Sequence, residues 1–318
     1  MTNLSLPPVC LGTYTLAAAW GSDLDSSKAA LRRGVTEGLV FFDTAHAYGR
    51  AESVLGELFS RELVADRDSL VLCSKGGLEL RHREGSATPF APNSRPAFLR
   101  ASLTKSLSRL GIEHLDYYLV HWYDPDVPLP EVAGAMQSFV DEGLTRYVGV
   151  SNYTVEQMTT FRQTTQLDAI QVPYSLFSRG VEDEVLPFAR RNGIMVMGYA
   201  ALAQGFLSGT FGPEPAFAEN DFRRSAPDFS GERYAMRVQA AGKLATIAER
   251  HGVGLADLAV AWAASGAAPV VPLVGVQAPA HIDALQTAMR LKLTADDLIE
   301  MRAIAQSAPE MDFAGLVS

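Results

Sequence analysis

Short apolar runs recur along the 318-residue chain, separated by longer stretches in which apolar residues fall at helical spacing. The runs are VCLGT (9–13), LVFFD (39–43), SLVLCS (69–74), LDYYLV (115–120), TRYVGV (145–150), DAIQV (168–172), IMVMG (194–198) and PVVPLVG (269–275). They are rich in Val, Ile, Leu and aromatic residues and do not alternate, as expected of strands covered by helices on both faces. Between them the spacing predicts helices over 26–36, over 96–110, where Pro96 suits a first turn, and over 154–164, where Thr154 suits the capping position.

Strand-like runs that alternate with helical stretches predict βα units and a parallel sheet. Closure of that sheet into an α/β (β/α)8 TIM barrel is the expected fold, with an open doubly wound sheet as the alternative. No linker or composition shift divides the chain, so one domain over residues 1–318 is expected. Two segments are too long for plain connections: 84–95, which holds Pro89 and Pro92, and 204–232, rich in glycine, proline and charge. Both would follow the C-terminal end of a strand, the face on which barrels carry their active sites, so they are expected to be lids or binding loops.

Composition narrows the classes. With 47% hydrophobic and 20% charged residues the chain can bury a sizeable core, and a net charge of −9 argues against nucleic acid or an anionic membrane as partner. Cys10 and Cys73 sit inside apolar runs and read as buried reduced thiols, too few for a disulfide framework or a zinc site. The start MTNLSLPPV has no basic stretch before an apolar core, and the most apolar region, 254–276, is broken by Asp257, Pro269 and Pro272. A cytoplasmic location, no membrane contact and a monomeric state are expected.

Polar groups cluster where the strand-like runs end. Asp43 ends the second and Tyr48 follows it; Lys75 follows the third, His121 the fourth, Ser151 and Asn152 the fifth, and Gln171 lies in the sixth. Singly each is weak, since an Asp after a strand often caps a turn, a Lys often sits on a solvated face, and a His often serves structure. Together they suit proton transfer to a carbonyl oxygen. A tyrosine hydroxyl is a poor acid at neutral pH, a nearby ammonium lowers its pKa, a carboxylate supports the buried cation, and a neutral imidazole can orient the substrate oxygen. No G-x-S-x-G elbow and no H-E-x-x-H metal pair occurs, so the electrons must come from a partner.

The stretches FFDTAHAYGRAESVLGE, SKGG, SLSRLGIEHLDYYLVHW, VGVSNY, IQVPYSLFSR and VPLVGVQAPAHIDAL, in this order from Leu11 to about Leu285, resemble the aldo-keto reductase superfamily. HWYDPDVPL and QVPYSLFSR are similar to its bacterial branch of general-stress-type reductases. The resemblance implies an NAD(P)(H)-dependent oxidoreductase with Tyr48 as general acid, Lys75 and Asp43 as its pKa-setting pair, and His121 orienting the carbonyl. It further implies that Thr13 contacts the cofactor, that Ser151, Asn152 and Gln171 hold the nicotinamide carboxamide, and that Tyr199 stacks on the ring. The segment with Ala200, Leu202, Gln204, Gly205 and Leu207 corresponds to the pyrophosphate wrap, and Gly275, Gln277, His281 and Asp283 to the adenosine end.

One departure bears on the cofactor. Relatives that use NADP(H) usually carry arginine where this chain has Gln277, and often cations at Gln204 and Thr210, so NADP(H) is expected with NAD(H) as the alternative. Arg223, Arg224 and Arg233 on the second long segment offer compensating charge. Tyr14, Trp20, Trp122 and Tyr123, with Phe90, are the candidate substrate rim, and a small carbonyl or alcohol compound is the expected substrate. An NAD-dependent sugar or alcohol dehydrogenase and a cofactor-sensing regulatory subunit are the alternative functions.

Overall fold

Parallel strands β1 (Cys10–Gly12), β2 (Phe41–Asp43), β3 (Val71–Gly76), β4 (Leu115–Val120), β5 (Thr145–Ser151), β6 (Ala169–Pro173), β7 (Met195–Tyr199) and β8 (Val270–Gly275) close into one barrel. Leu11 of β1 pairs with Val274 of β8 on one side and Phe42 of β2 on the other, which seals the ring. The computed structural model describes residues 8–17, 21–80, 90–217, 221–266, 270–311 and 313. Closure rules out the open doubly wound alternative. Trp20, residues 84–89 of the first long segment, 218–220 of the second and Pro269 lie outside the described residues.

Helices α1 (Leu24–Thr36), α2 (Ala51–Leu58), α3 (Ser60–Ala65), α4 (Pro96–Leu110), α5 (Leu129–Asp141), α6 (Val155–Phe161), α7 (Val185–Asn192), α8 (Gly231–Arg250), α9 (Leu255–Ala264), α10 (Pro279–Arg290) and α11 (Ala295–Ala305) lie between and after the strands. Local chemistry sets several of their ends. Asp23 caps α1 by accepting from Ser26 N–H at 2.7 Å, and Thr154 with Gln157 forms a reciprocal capping box on α6. Pro96 opens α4 over the range the sequence predicts, and Gly111 closes it in the left-handed conformation. The helix expected over 154–164 stops at Phe161 and runs into turns.

Side chains alternate along each strand and so divide the core in two. Cys10, Phe41, Val71, Cys73, Tyr117, Leu119, Ala169, Met197 and Val271 fill the barrel interior, while Phe42, Leu72, Tyr118, Val120 and Ile170 face the helices. Both cysteines are free and buried, and burial pushes both thiols up. After β3 a two-stranded antiparallel pair forms between Leu78–Leu80 and Phe90–Pro92, and the second of these strands lies in the first long segment. The second long segment folds into two short 3-10 turns across a kink at Gln204 and Gly205 within Ala203–Ser208, then single 3-10 turns at Phe222–Arg224 and Pro227–Phe229, and α8 begins at Gly231. Among the described residues no helix is long and apolar enough to cross a membrane.

Candidate active site

The two-residue period of the strands assembles the site. Phe41, Cys73, Leu119, Ala169 and Met197 face the interior, and two positions further along the same strands come Asp43, Lys75, His121, Gln171 and Tyr199. The pairing puts Asp43 level with Cys73 and Ser151 level with Gln171, so these polar side chains form the layer that caps the apolar interior at the C-terminal rim. Lys75 lies within β3, one residue beyond the run read from the sequence. The turn after it needs two glycines: a Cβ on Gly76 would collide with the Tyr118 hydroxyl, and Gly77 has φ +91°.

Lys75 is fully buried, and its ammonium donates to both Asp43 carboxylate oxygens at 2.7 and 2.6 Å and to Thr44 C=O at 2.9 Å. Gln171 Nε2 donates to Asp43 Oδ1 at 2.8 Å. The same Asp43 receives support through its main chain, since Thr13 N–H and the Thr13 hydroxyl both donate to Asp43 C=O at 3.0 Å. Tyr48 stands beside this pair on the loop after β2, with Lys75 Nζ 5.1 Å from its ring centroid. The His121 ring meets Tyr48 edge-on at 5.7 Å, and Tyr14 tilts against its other side at 4.8 Å.

Burial dominates the electrostatics. It drives the Lys75 ammonium toward neutrality, but the adjacent Asp43 and the phenol of Tyr48 outweigh it, so the lysine pKa ends above its ordinary value. His121 falls well below its ordinary value, first from burial and then from the Lys75 charge, so its imidazole is neutral at physiological pH. Among the described residues its Nδ1 has no hydrogen-bond partner. Burial pushes the Tyr48 hydroxyl up to about 12, although Lys75 acts downward through both its charge and a hydrogen bond. The lysine thus works in the direction the sequence reading expects, and desolvation exceeds it.

Hydrogen bonds join several of the cofactor candidates at the rim. Tyr199 donates its hydroxyl to Asn152 Oδ1 at 2.9 Å, while Asn152 Nδ2 donates to Ser151 Oγ at 2.9 Å and to His121 C=O at 3.4 Å. Asn152, Ala200, Ala203 and Gln204 are the described non-glycine residues with positive φ, and all four follow the C-terminal ends of β5 and β7. Each such residue costs about 1 kcal/mol or more, and strain of that kind concentrates at ligand sites. Leu202 accepts at its carbonyl from Gly205 N–H and Leu207 N–H, whereas the Leu207 side chain belongs to the core, so only its backbone can face a ligand. At the far end Gly275 ends β8, and Gln277 N–H donates to His281 Nδ1 at 3.1 Å. Burial lowers the His281 pKa, so this ring too is neutral at physiological pH. Asp283 is exposed and paired with Arg33 at 3.2 Å, which turns it toward α1.

Arg223 is bound to Asp221 and to Gln204 C=O and lies over the Phe217 ring, and Arg233 pairs with Asp228, so these cations are engaged. Tyr14 and Trp122 stand on the rim, while Tyr123 packs edge-on against Tyr153. The sequence reading missed Glu52 and Arg109, which lie directly behind the Tyr48 loop and look like ordinary helix charges in the sequence. Among the described residues no group of His, Cys, Asp and Glu could hold a metal ion.

Comparison with known proteins agrees with this geometry. The model described as Aldo/keto reductase family matches residues 8–306. Aldo-keto reductase YhdN of Bacillus subtilis is 31% identical over 311 residues, covering 96% of this chain and 92% of its own. The glycerol dehydrogenase AKR11B4 of Gluconobacter oxydans superposes with a TM-score of 0.86 at 28% identity, over 99% of this chain and 97% of that one. An aldo/keto reductase of Klebsiella pneumoniae, solved in complex with NADP and acetate, has a TM-score of 0.71 and 26% identity over 96% of this chain and 93% of that one.

Proposed function

The chain belongs to the aldo/keto reductase family of nicotinamide-dependent oxidoreductases, and from that premise we propose that Tyr48 is its proton donor and that it reduces an aldehyde, ketone or sugar carbonyl with NADP(H). The observation that carries this reading is the buried Lys75–Asp43 pair directly beside Tyr48, with neutral His121 against the same ring.

When bound, the nicotinamide supplies the hydride that attacks the carbonyl carbon. Tyr48, protonated at neutral pH, gives its hydroxyl proton to the oxygen as negative charge develops there, and Lys75 stabilises the phenolate left behind. Asp43 keeps the lysine charged and in place. Because His121 Nδ1 is buried without a partner among the described residues, the neutral ring is cheapest with its proton on Nε2, which makes that nitrogen the donor that aims the carbonyl oxygen.

The rim suits a nicotinamide dinucleotide. Gln171 has committed its N–H to Asp43, so its carbonyl oxygen is left to accept from a carboxamide, beside Ser151 and Asn152. Tyr199 is locked by Asn152 and offers a ring for stacking, and the left-handed turn at Ala200, Ala203 and Gln204 offers backbone to a pyrophosphate. The NADP bound to the Klebsiella pneumoniae relative supports NADP(H) as cofactor, with NAD(H) as an alternative donor given Gln277 and neutral His281. The net charge of −9 supports a reading in which small molecules, rather than nucleic acids or membranes, are the partners of a cytoplasmic monomer.

A second reading, oxidation of an alcohol or polyol, is supported by the similarity to glycerol dehydrogenase. The two are separated by measuring initial rates in each direction with NADPH plus 4-nitrobenzaldehyde and NADP+ plus glycerol. Oxidation of NADPH by the aldehyde is expected. Absence of turnover in both directions with both NADP(H) and NAD(H) would sink the enzymatic reading.

A further inference from the structure

We propose that Glu52 and Arg109 form a clasp that positions Tyr48 beside Lys75, which makes both of them positioning residues for the proton transfer; the inference rests on Tyr48 being the proton donor. Glu52 lies in the first turn of α2, four residues after Tyr48, and is fully buried. Its carboxylate has two partners. The Ser74 hydroxyl, on the outer face of β3 next to Lys75, donates to Oε1 at 2.7 Å, and Arg109 Nη1, from the last turn of α4, donates to Oε2 at 2.9 Å.

Arg109 Nη1 also donates to His46 C=O at 3.1 Å, while His46 N–H donates to Lys75 C=O at 2.9 Å. The loop that carries Tyr48 is therefore tied on one edge to the strand bearing Lys75 and on the other to α4. Tyr48 N–H donates to Ala45 C=O and Tyr48 C=O accepts from Ala51 N–H, both at 3.0 Å, so the backbone from which the ring projects is set once His46 and Glu52 are held. One guanidinium thus fixes the loop before Tyr48 and the helix after it.

An apolar pair of similar volume would give comparable stability, because two charges lose much of their hydration on burial. What the ion pair adds is direction. Its oxygens and N–H groups accept one arrangement of loop, helix and strand, and proton transfer depends on placement to a fraction of an ångström. Glu52 and Arg109 touch neither Lys75 nor Asp43 in the contacts described, so they act on the chemistry through backbone placement.

The test uses Glu52→Gln in the full-length enzyme, which keeps the shape and removes the charge. A fall in kcat of about tenfold is expected, with the NADPH dissociation constant unchanged within about twofold and no further loss when Glu52→Gln is added to Tyr48→Phe. If Glu52→Gln does not fold, Arg109→Lys, whose side chain is partly exposed, reads the same quantities, because an ammonium cannot replace the guanidinium contacts to Glu52 and His46 together. A lowered melting temperature with wild-type kcat, or an equal loss in the presence and absence of the Tyr48 hydroxyl, overturns the inference. Wild-type rates in Tyr48→Phe alone overturn the reading of Tyr48 instead.

Discussion

Gln171 Nε2 lies 2.8 Å from Asp43 Oδ1, the same oxygen that the Lys75 ammonium approaches at 2.7 Å. A residue expected only to hold the cofactor thus also braces the buried ion pair. The contact fixes the amide orientation, since only its N–H can face a carboxylate. Gln171→Leu removes both the brace and the free carbonyl oxygen, so the NADPH dissociation constant should rise about tenfold, corresponding to about 1.4 kcal/mol. Quenching of protein fluorescence by NADPH measures it; an unchanged constant would show that the carbonyl oxygen holds nothing.

At the proposed adenosine end an added charge should strengthen cofactor binding. Gln277 is neutral, His281 is neutral and accepts from Gln277 N–H, and Arg33 is held by Asp283. Gln277→Arg should tighten NADPH binding about tenfold and leave NADH binding unchanged, because only the former carries a 2′-phosphate for a guanidinium. Equal tightening of both would mean that position 277 does not face the ribose.

The barrel was legible because its signals are local and periodic. Apolar runs marked every strand, Pro96 marked the start of α4, and the two-residue alternation carried Asp43, His121 and Gln171 into one layer. The hairpin formed by Leu78–Leu80 and Phe90–Pro92 was not legible, since its three-residue arms are too short to show a period. Nor were the buried charges. Glu52, Arg109 and Arg237 sit on helices among other charged residues, and only tertiary packing makes them buried or paired. The Tyr48 pKa escaped for a related reason: the sequence shows the lysine that lowers it but not the desolvation that raises it more.

Arg237 offers a test of the second long segment. Fully buried on α8, it donates to Asp228 Oδ1, Asp228 C=O, Pro309 C=O and Glu310 C=O, and lies over the Phe206 ring. It therefore joins the loop before α8 to the C-terminal segment, whose Phe313 packs edge-on against Tyr199 at 5.7 Å. Arg237→Met should cost about 3 kcal/mol in urea unfolding, the loss expected when one partner of a buried pair is removed. A cost below about 1 kcal/mol would place the pair among weak surface contacts.

Stability should also depend on pH in the range where histidine titrates. Burial lowers the pKa values of His121, His46 and His114 in the folded chain, while the unfolded chain takes up protons near about 6.5. Full stability is then present above about pH 6.5 and is lost as the pH falls toward the folded values, because protons favour the unfolded state. His121, the most buried, should contribute up to about 1.4 kcal/mol per pH unit, with less from half-exposed His46 and His114. Urea unfolding at about pH 7.5 and about pH 5.5 should show the drop, and His121→Asn should reduce it. Equal pH dependence in the variant would mean that His121 is not held neutral.

The most direct test of the proposed chemistry is the rate of NADPH oxidation by 4-nitrobenzaldehyde in the wild type and in Tyr48→Phe, with NADPH affinity measured on the same samples. Loss of the hydroxyl should lower kcat by at least about a hundredfold and leave the NADPH dissociation constant within about twofold of the wild type, since Tyr48 acts on the proton and not on binding. A Tyr48→Phe enzyme that binds NADPH and turns over at the wild-type rate would contradict the assignment of Tyr48 as the acid.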